Sequence, residues 1–137
     1  MKLSIIIPLY NEKNTIQELL RRVTSASLPK GMQREIIIVD DGSTDGGFGD
    51  KEKVLFPDVL FLKHAKNKGK GAAIRTAIEQ LTGDVIIIQD ADLEYYPEDY
   101  PLILEPMKTG IARVCYGSRF MYRYIEKVYT SFKNPYK

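Results

Sequence analysis

Short runs of apolar and β-branched residues punctuate this chain, and polar or glycine-rich breaks separate them. Leu3-Ser4-Ile5-Ile6-Ile7 is the first, stopped by Pro8; Glu35–Val39, Val59–Leu62, Val85–Ile88 and Ile111–Tyr116 follow. Continuous apolar runs of this length mark strands covered on both faces. Helical spacing appears between them. Asn14 with Gln17 has the form of a capping box, and Ile16, Leu19, Leu20 and Val23 then share one face. Gly69 to Leu81 reads as a second helix with Ile74, Ala77, Ile78 and Leu81 on one side, and Pro97 suits the first turn of a third. Gly46-Gly47-Phe48-Gly49 weakens the crossover after the second strand, where a loop or short helix is expected. The order β-α-β-(loop)-β-α-β-α-β predicts an α/β fold: a mostly parallel sheet with helices on both faces.

Ligands of such sheets bind beyond the carboxyl ends of the strands. The polar clusters fall there: Tyr10-Asn11-Glu12 after strand one, Asp40-Asp41-Gly42-Ser43 after strand two, Asn67-Lys68-Gly69-Lys70-Gly71 after strand three and Asp90-Ala91-Asp92 after strand four. Residues two apart on an extended segment point the same way, so Asp90 and Asp92 can face one ion. Hard divalent cations take such oxygens together with phosphate oxygens. In isolation an Asp-x-Asp is more often a solvated loop; the buried strand before it and the neighbouring clusters favour the metal site.

Asp40-Asp41-Gly42-Ser43 is either a simple turn or a carboxylate that accepts from a base or ribose. Pro8 to Glu12 is either a strand end leading into a helix or a place where Tyr10 packs on a base and Glu12 bonds the ribose. Asn67 to Gly71 precedes a helix, whose N-terminus favours anions. The glycine spacing is not that of a P-loop, and no Gly-x-Gly-x-x-Gly follows strand one, which argues against a dinucleotide site. Lys68, Lys70 and Arg75 are either phosphate ligands or solvated charges. His64, the single histidine, has no neighbouring Ser or Cys pattern, and a surface position is its default reading.

The length of 137 residues with 44% hydrophobic and 28% charged content fits one globular domain that needs no disulfide. The lone Cys115 sits in an apolar run and is expected to be a buried, reduced thiol, which suits a cytoplasmic protein. No run approaches the roughly 20 apolar residues of a membrane span, and the N-terminus lacks a signal-peptide pattern. The net charge of +2 is a property of the end of the chain: Arg119, Arg123, Lys127, Lys133 and Lys137 face only Glu126. No nucleic-acid partner is expected. Residues 121–137 form a basic, aromatic tail, and Ile125, Val128, Tyr129 and Phe132 fit one face of a helix over 119–132. That tail can pack on the sheet, meet an anionic membrane surface through its lysines and rings, or pair with a second copy.

Taken together, Ile5-Ile6-Ile7-Pro8-Leu9-Tyr10-Asn11-Glu12, Val39-Asp40-Asp41-Gly42-Ser43-Thr44-Asp45, Asn67-Lys68-Gly69-Lys70-Gly71, Asp90-Ala91-Asp92-Leu93 and Tyr116-Gly117-Ser118-Arg119-Phe120 resemble family 2 glycosyltransferases in order and spacing. The run from Asp90 to Asp99 resembles the dolichyl-phosphate mannose synthase-like branch. The resemblance covers about residues 1–120 and implies a nucleotide-sugar-binding domain of GT-A fold. It implies a GDP- or UDP-hexose donor, a divalent cation (Mg2+ or Mn2+), inversion at the anomeric carbon, and a polyprenyl-phosphate acceptor met at the membrane surface by a peripheral enzyme. By the same resemblance Pro8, Tyr10, Glu12, Val39, Asp41 and Lys70 hold the donor nucleotide. Asp90, Ala91 and Asp92 meet the diphosphate; Asp90, Asp92 and Glu94 form the metal shell; Arg119 binds acceptor or donor phosphate. Family catalytic domains run well beyond this length, so the donor half is expected without the acceptor half. A binding module without turnover is the alternative. A sugar-1-phosphate nucleotidyltransferase is disfavoured, because no glycine-rich basic loop follows the first strand.

Overall fold

A computed structural model describes residues 1–117. Four parallel strands, β1 (Lys2–Leu9), β2 (Gln33–Asp40), β3 (Val59–Lys63) and β4 (Val85–Ile88), lie in the order β3-β2-β1-β4. The predicted parallel sheet is therefore present. The chain builds outward from β1 through β2 to β3 and then places β4 on the other side of β1. That reversal opens a crevice at the carboxyl ends of β1 and β4.

β1 does not stop at Pro8; it runs one residue further. Ile6 accepts from the Gln89 amide, so by alternation Pro8 also faces the β4 side, where pairing has already ended at Ile6↔Ile88. The missing proline N–H thus costs no ladder bond.

Helix α1 (Ile16–Ser25) buries Ile16, Leu19, Leu20 and Val23 against one face of the sheet, with Leu3, Ile5, Ile7, Leu9, Ile36 and Ile38 beneath. Each such side chain contributes about 1.5–3 kcal/mol by leaving water. The capping box expected from Asn14 and Gln17 does not form. The residue before α1 is Thr15, whose hydroxyl bonds Glu12, while Gln17 reaches across to Glu52 at 2.6 Å. A short α2 (Asp50–Leu55) follows the glycine-rich stretch. Gly47 passes so close to the Lys13 backbone that a Cβ would lie 3.1 Å from it, and Phe48 is buried in a stack on Phe61 at 4.5 Å.

Helix α3 (Lys70–Ile78) covers the other face through Ala73 and Ala77, over Ile6, Ile37 and Val39. It packs mainly on β1 and β2. Ile78, expected on its apolar side, is 48% exposed, and Ile86 and Ile88 of β4, which share the face of Ile6, stand 45% and 47% exposed. A 3-10 turn (Pro97–Asp99) leads into α4 (Tyr100–Lys108), which returns Tyr100 and Leu104 to the α1 side.

The fifth strand expected over Ile111–Tyr116 is absent. Those residues form bends and irregular chain paired to no strand, with Ile111 82%, Val114 63% and Tyr116 91% exposed. Apolar content favours a strand only where a neighbouring edge accepts its ladder, and none of the described strands does. Cys115 is accordingly half-buried rather than enclosed.

The end of the sheet away from the crevice is fastened by Glu35. Its carboxylate accepts from Ser4 Oγ, Lys2 Nζ, Thr82 N–H and Oγ1, and Gly83 N–H, at 2.5 to 3.0 Å. Burial pushes the Glu35 carboxyl up, but the bonds from Lys2, Ser4 and Thr82 outweigh it and hold it down at about 2, from an ordinary 4.5. A depressed acid stabilises the fold above its unfolded value and loses that contribution as pH falls toward the folded one. Glu35→Gln is therefore expected to cost about 2 kcal/mol at neutral pH. In urea titrations the gap from wild type should close as pH drops from 4.5 toward 2. A gap independent of pH would show that the charge contributes nothing.

Candidate donor-binding site

The crevice holds a cavity of about 300 Å³ lined by residues from all four strand ends and α3: Pro8, Leu9, Tyr10 and Glu12; Asp41; Asn67, Gly69, Lys70 and Ala73; Asp90, Ala91 and Asp92. The sequence placed these groups on one rim, and the structure brings them around one space. Val39 is fully buried under α3 and Glu94 does not line the cavity. Among the described residues no three His, Cys, Asp or Glu converge as a metal cluster, so Asp90, Asp92 and Glu94 do not form a preassembled triad. Arg119 and the tail lie outside the described residues.

The wall after β1 is shaped by Asn11, which sits at φ +56°, a conformation that asparagine tolerates better than most residues. Its amide oxygen accepts from the Thr44 N–H and its own N–H donates to Ser43 Oγ, both at 2.9 Å. Glu12 is oriented by the Thr15 hydroxyl at 2.7 Å, and Tyr10 stands 46% exposed at the mouth.

After β2 both carboxylates are buried. Asp40 Oδ1 accepts from Ser43 N–H at 2.8 Å, and its Oδ2 meets Lys63 Nζ at 3.0 Å. Asp41 is enclosed as well, with its side chain 4% exposed. It accepts from the Lys68 and Gly69 amides at 2.7 to 3.1 Å and from His64 Nδ1 at 2.6 Å. Burial pushes the Asp41 carboxyl up, but His64 and the two amides win and hold it below its usual range. His64 is thus not a surface residue: its ring is 7% exposed between Asp41 and Thr76. Gly42 makes this closure sterically feasible, as a Cβ there would lie 2.7 Å from the Lys66 carbonyl carbon.

After β4 the acids are presented differently from one another. Asp90 is half-buried, with Lys70 Nζ 2.6 Å from its Oδ1. Asp92 is exposed and its Oδ1 accepts only the Glu94 N–H at 3.0 Å among the bonds shown, across Leu93 at φ +65°. Positive φ at a leucine is costly and is kept where the surroundings over-determine it. The support is Gln89, which sequence reasoning passed over. It is 1% exposed, donates to the Asp90 and Tyr95 carbonyls, and accepts from the Tyr100 hydroxyl at 2.9 Å. The signal was a polar residue closing the apolar run Val85–Ile88. Burial pushes the Tyr100 phenol up, so it stays a donor.

Two oxygen donors on one wall fit a divalent ion that completes its shell with water and phosphate oxygens. Lys70 already sits on one of them, and its cationic head can turn to an anion in the same space.

Comparison with known proteins identifies the fold and the family. A dolichol-phosphate mannosyltransferase of Pyrococcus furiosus is 35% identical over 123 residues, covering 88% of this chain and 34% of that protein. An undecaprenyl-phosphate 4-deoxy-4-formamido-L-arabinose transferase of Pseudomonas fluorescens is 42% identical over 110 residues, covering 78% and 32%. Among solved structures, a mannosyltransferase of Pyrobaculum calidifontis in complex with GDP-Man and Mn2+ superposes with a TM-score of 0.59 at 30% identity, over 71% of this chain and 29% of that one. The chain spans about a third of the length of the curated relatives it matches. Its parallel sheet is the part of the GT-A fold that carries the crevice. No helix among the described residues is long and apolar enough to cross a membrane. The profile of the family described as glycosyl transferase family 2 matches residues 4–136, and the chain belongs to that family.

Proposed function

We propose that this chain carries the donor-binding half of an inverting, metal-dependent glycosyltransferase that moves a hexose from a nucleoside-diphosphate sugar to a polyprenyl phosphate. The observation that carries it is the convergence of Asp90, Asp92, Lys70, Tyr10 and Glu12 on one cavity at the reversal of strand order. The Tyr10 ring offers a face to the base, and Glu12, steadied by Thr15, an acceptor to the ribose. Asp41 serves mainly through the turn it holds, since its oxygens are engaged by protein donors. Asp90 and Asp92 would hold a divalent ion, Mg2+ or Mn2+, that supplies charge neutralisation to the diphosphate. The Lys70 ammonium and the amides at the start of α3 add positive potential at the same wall.

A phosphate acceptor is already an anion. Its oxygen attacks the anomeric carbon as the bond to the diphosphate breaks on the opposite face, and no general base is required. Positioning and leaving-group neutralisation then supply the catalysis. The polyprenyl acceptor is supported by the names of the two curated relatives, and Arg119 with the basic tail is the proposed contact to acceptor phosphate and membrane surface.

The test is twofold. Calorimetry on the full chain with GDP and UDP should show binding that strengthens at least tenfold with Mn2+. A mass-spectrometric assay with GDP- and UDP-hexoses and polyprenyl phosphate should show transfer. Metal-dependent binding with no product from any donor would make the chain a binding module; no nucleotide binding would sink the donor site itself.

A further inference from the structure

The single histidine of the chain lines no part of the cavity, yet it is among the few polar side chains buried in the described residues. Its position is fixed at the backbone: the His64 N–H donates to the Asp40 carbonyl at 2.8 Å, one step past the end of β3. Its ring then spans two elements. Nδ1 lies 2.6 Å from Asp41 Oδ1, and Nε2 lies 2.9 Å from Thr76 Oγ1 in the middle of α3. The same Asp41 oxygen accepts from the Lys68 amide at 2.9 Å, and the other accepts from Gly69 at 2.7 Å. Asp41 is thus the hub of the turn that leads into α3, and among the described residues His64 is the only one whose side chain binds this hub.

We infer that His64 is a positioning residue for donor binding. It holds the Asp41 carboxylate in the orientation that catches the Lys68 and Gly69 amides and ties that carboxylate to α3. The turn over 66–69, and Lys70 beyond it, are thereby presented to the cavity as one unit. The inference rests on the donor-site reading. An ionised Asp41 has no proton to give, so Nδ1 carries the proton of this bond, and the imidazole acts as a donor. Gly69, at φ +90°, supplies a backbone that can offer its N–H inward while Lys70 turns toward Asp90. Without the Nδ1 donor the carboxylate can rotate, and the two amides lose a fixed acceptor.

The test compares two substitutions in the full chain. His64→Asn keeps an N–H donor near the place of Nδ1; His64→Gln places its amide near Nε2, toward Thr76. Hydrogen exchange of the Lys68 and Gly69 amides and calorimetry with GDP and UDP in Mn2+ are read on each. The Asn variant is expected to keep both exchange and nucleotide affinity within about threefold of wild type. The Gln variant is expected to speed exchange at both amides and to weaken affinity roughly tenfold, although both lose similar thermal stability. Equal behaviour of the two variants would overturn the inference. In the unsubstituted protein the imidazole 15N shifts should report a protonated Nδ1; an unprotonated Nδ1 would overturn it without any variant. If wild type binds neither nucleotide, the donor-site reading falls, and the exchange comparison still decides whether His64 holds the turn.

Discussion

Asp92→Ala is expected to abolish metal-dependent nucleotide binding while leaving the thermal midpoint within a few degrees of wild type. Asp92 is exposed after β4, and its Oδ1 accepts the local Glu94 N–H, so the fold loses little when the carboxylate goes. The proposed ion would lose one of its two protein ligands. Loss of a supporting group around a bound metal already costs ten- to a hundredfold, and a direct ligand should cost more than about a hundredfold. Asp90→Asn should behave differently. It would also weaken the proposed ion site, but it releases Lys70 from its 2.6 Å pairing. Nucleotide affinity without metal should therefore hold or rise in Asp90→Asn and stay unchanged in Asp92→Ala. Titrations of GDP and UDP with and without Mn2+ read both effects. The same metal dependence in variant and wild type would show that these carboxylates hold no ion. An Asp92→Ala protein that unfolds would assign the residue to the fold instead.

The second large effect is expected at Gly42, which does not itself line the cavity. An alanine Cβ there would lie 2.7 Å from the Lys66 carbonyl carbon, 2.8 Å from Asn67 N and 2.9 Å from Lys66 Cα. These are backbone atoms, and they cannot swing aside as a side-chain tip would. The φ of +76° adds a conformational penalty for any residue with a Cβ. Gly42→Ala should cost about 2–4 kcal/mol and should displace the turn that carries Gly69 and Lys70, so nucleotide binding falls with it. Gly46→Ala is the control. That glycine has φ +71° but open space around it, so it should cost only about 1 kcal/mol and leave binding intact. Urea unfolding and nucleotide titration of the pair decide the matter: equal costs would mean that close approach to residues 66–67 is not what requires a glycine here.

Both predictions concern the same physical object, a rim of four strand ends whose loops are tied to one another. Asn11 ties the loop after β1 to that after β2, Asp41 ties the loop after β2 to that after β3, and Lys70 reaches the acid after β4. The last of these ties pairs a cation with a proposed metal ligand, so it is the one that ligands would rearrange.

Much of this was written in the order of residues. Apolar runs at Leu3–Ile7, Glu35–Val39, Val59–Leu62 and Val85–Ile88 gave four strands, because four to eight apolar residues between turn formers have few other ways to leave water. Strand ends in a parallel sheet point one way, so the polar residues after each run had to meet on one rim, and Tyr10, Glu12, Asp41, Lys70, Asp90 and Asp92 did. What failed needed a partner that local pattern does not specify. Ile111–Tyr116 has strand composition but meets no edge among the described strands, and a strand exists only as one side of a ladder. Ile86 and Ile88 are as apolar as Ile6, yet they stand half-exposed among the described residues, where α3 packs mainly on β1 and β2. Gln17 lost its capping role to a carboxylate 35 residues away. His64 was misplaced for the same reason: its two partners are 23 residues before it and 12 after it, on different elements. Periodicity registers which residues avoid water; which buried polar group meets which other is decided only when the strands and helices close on one another.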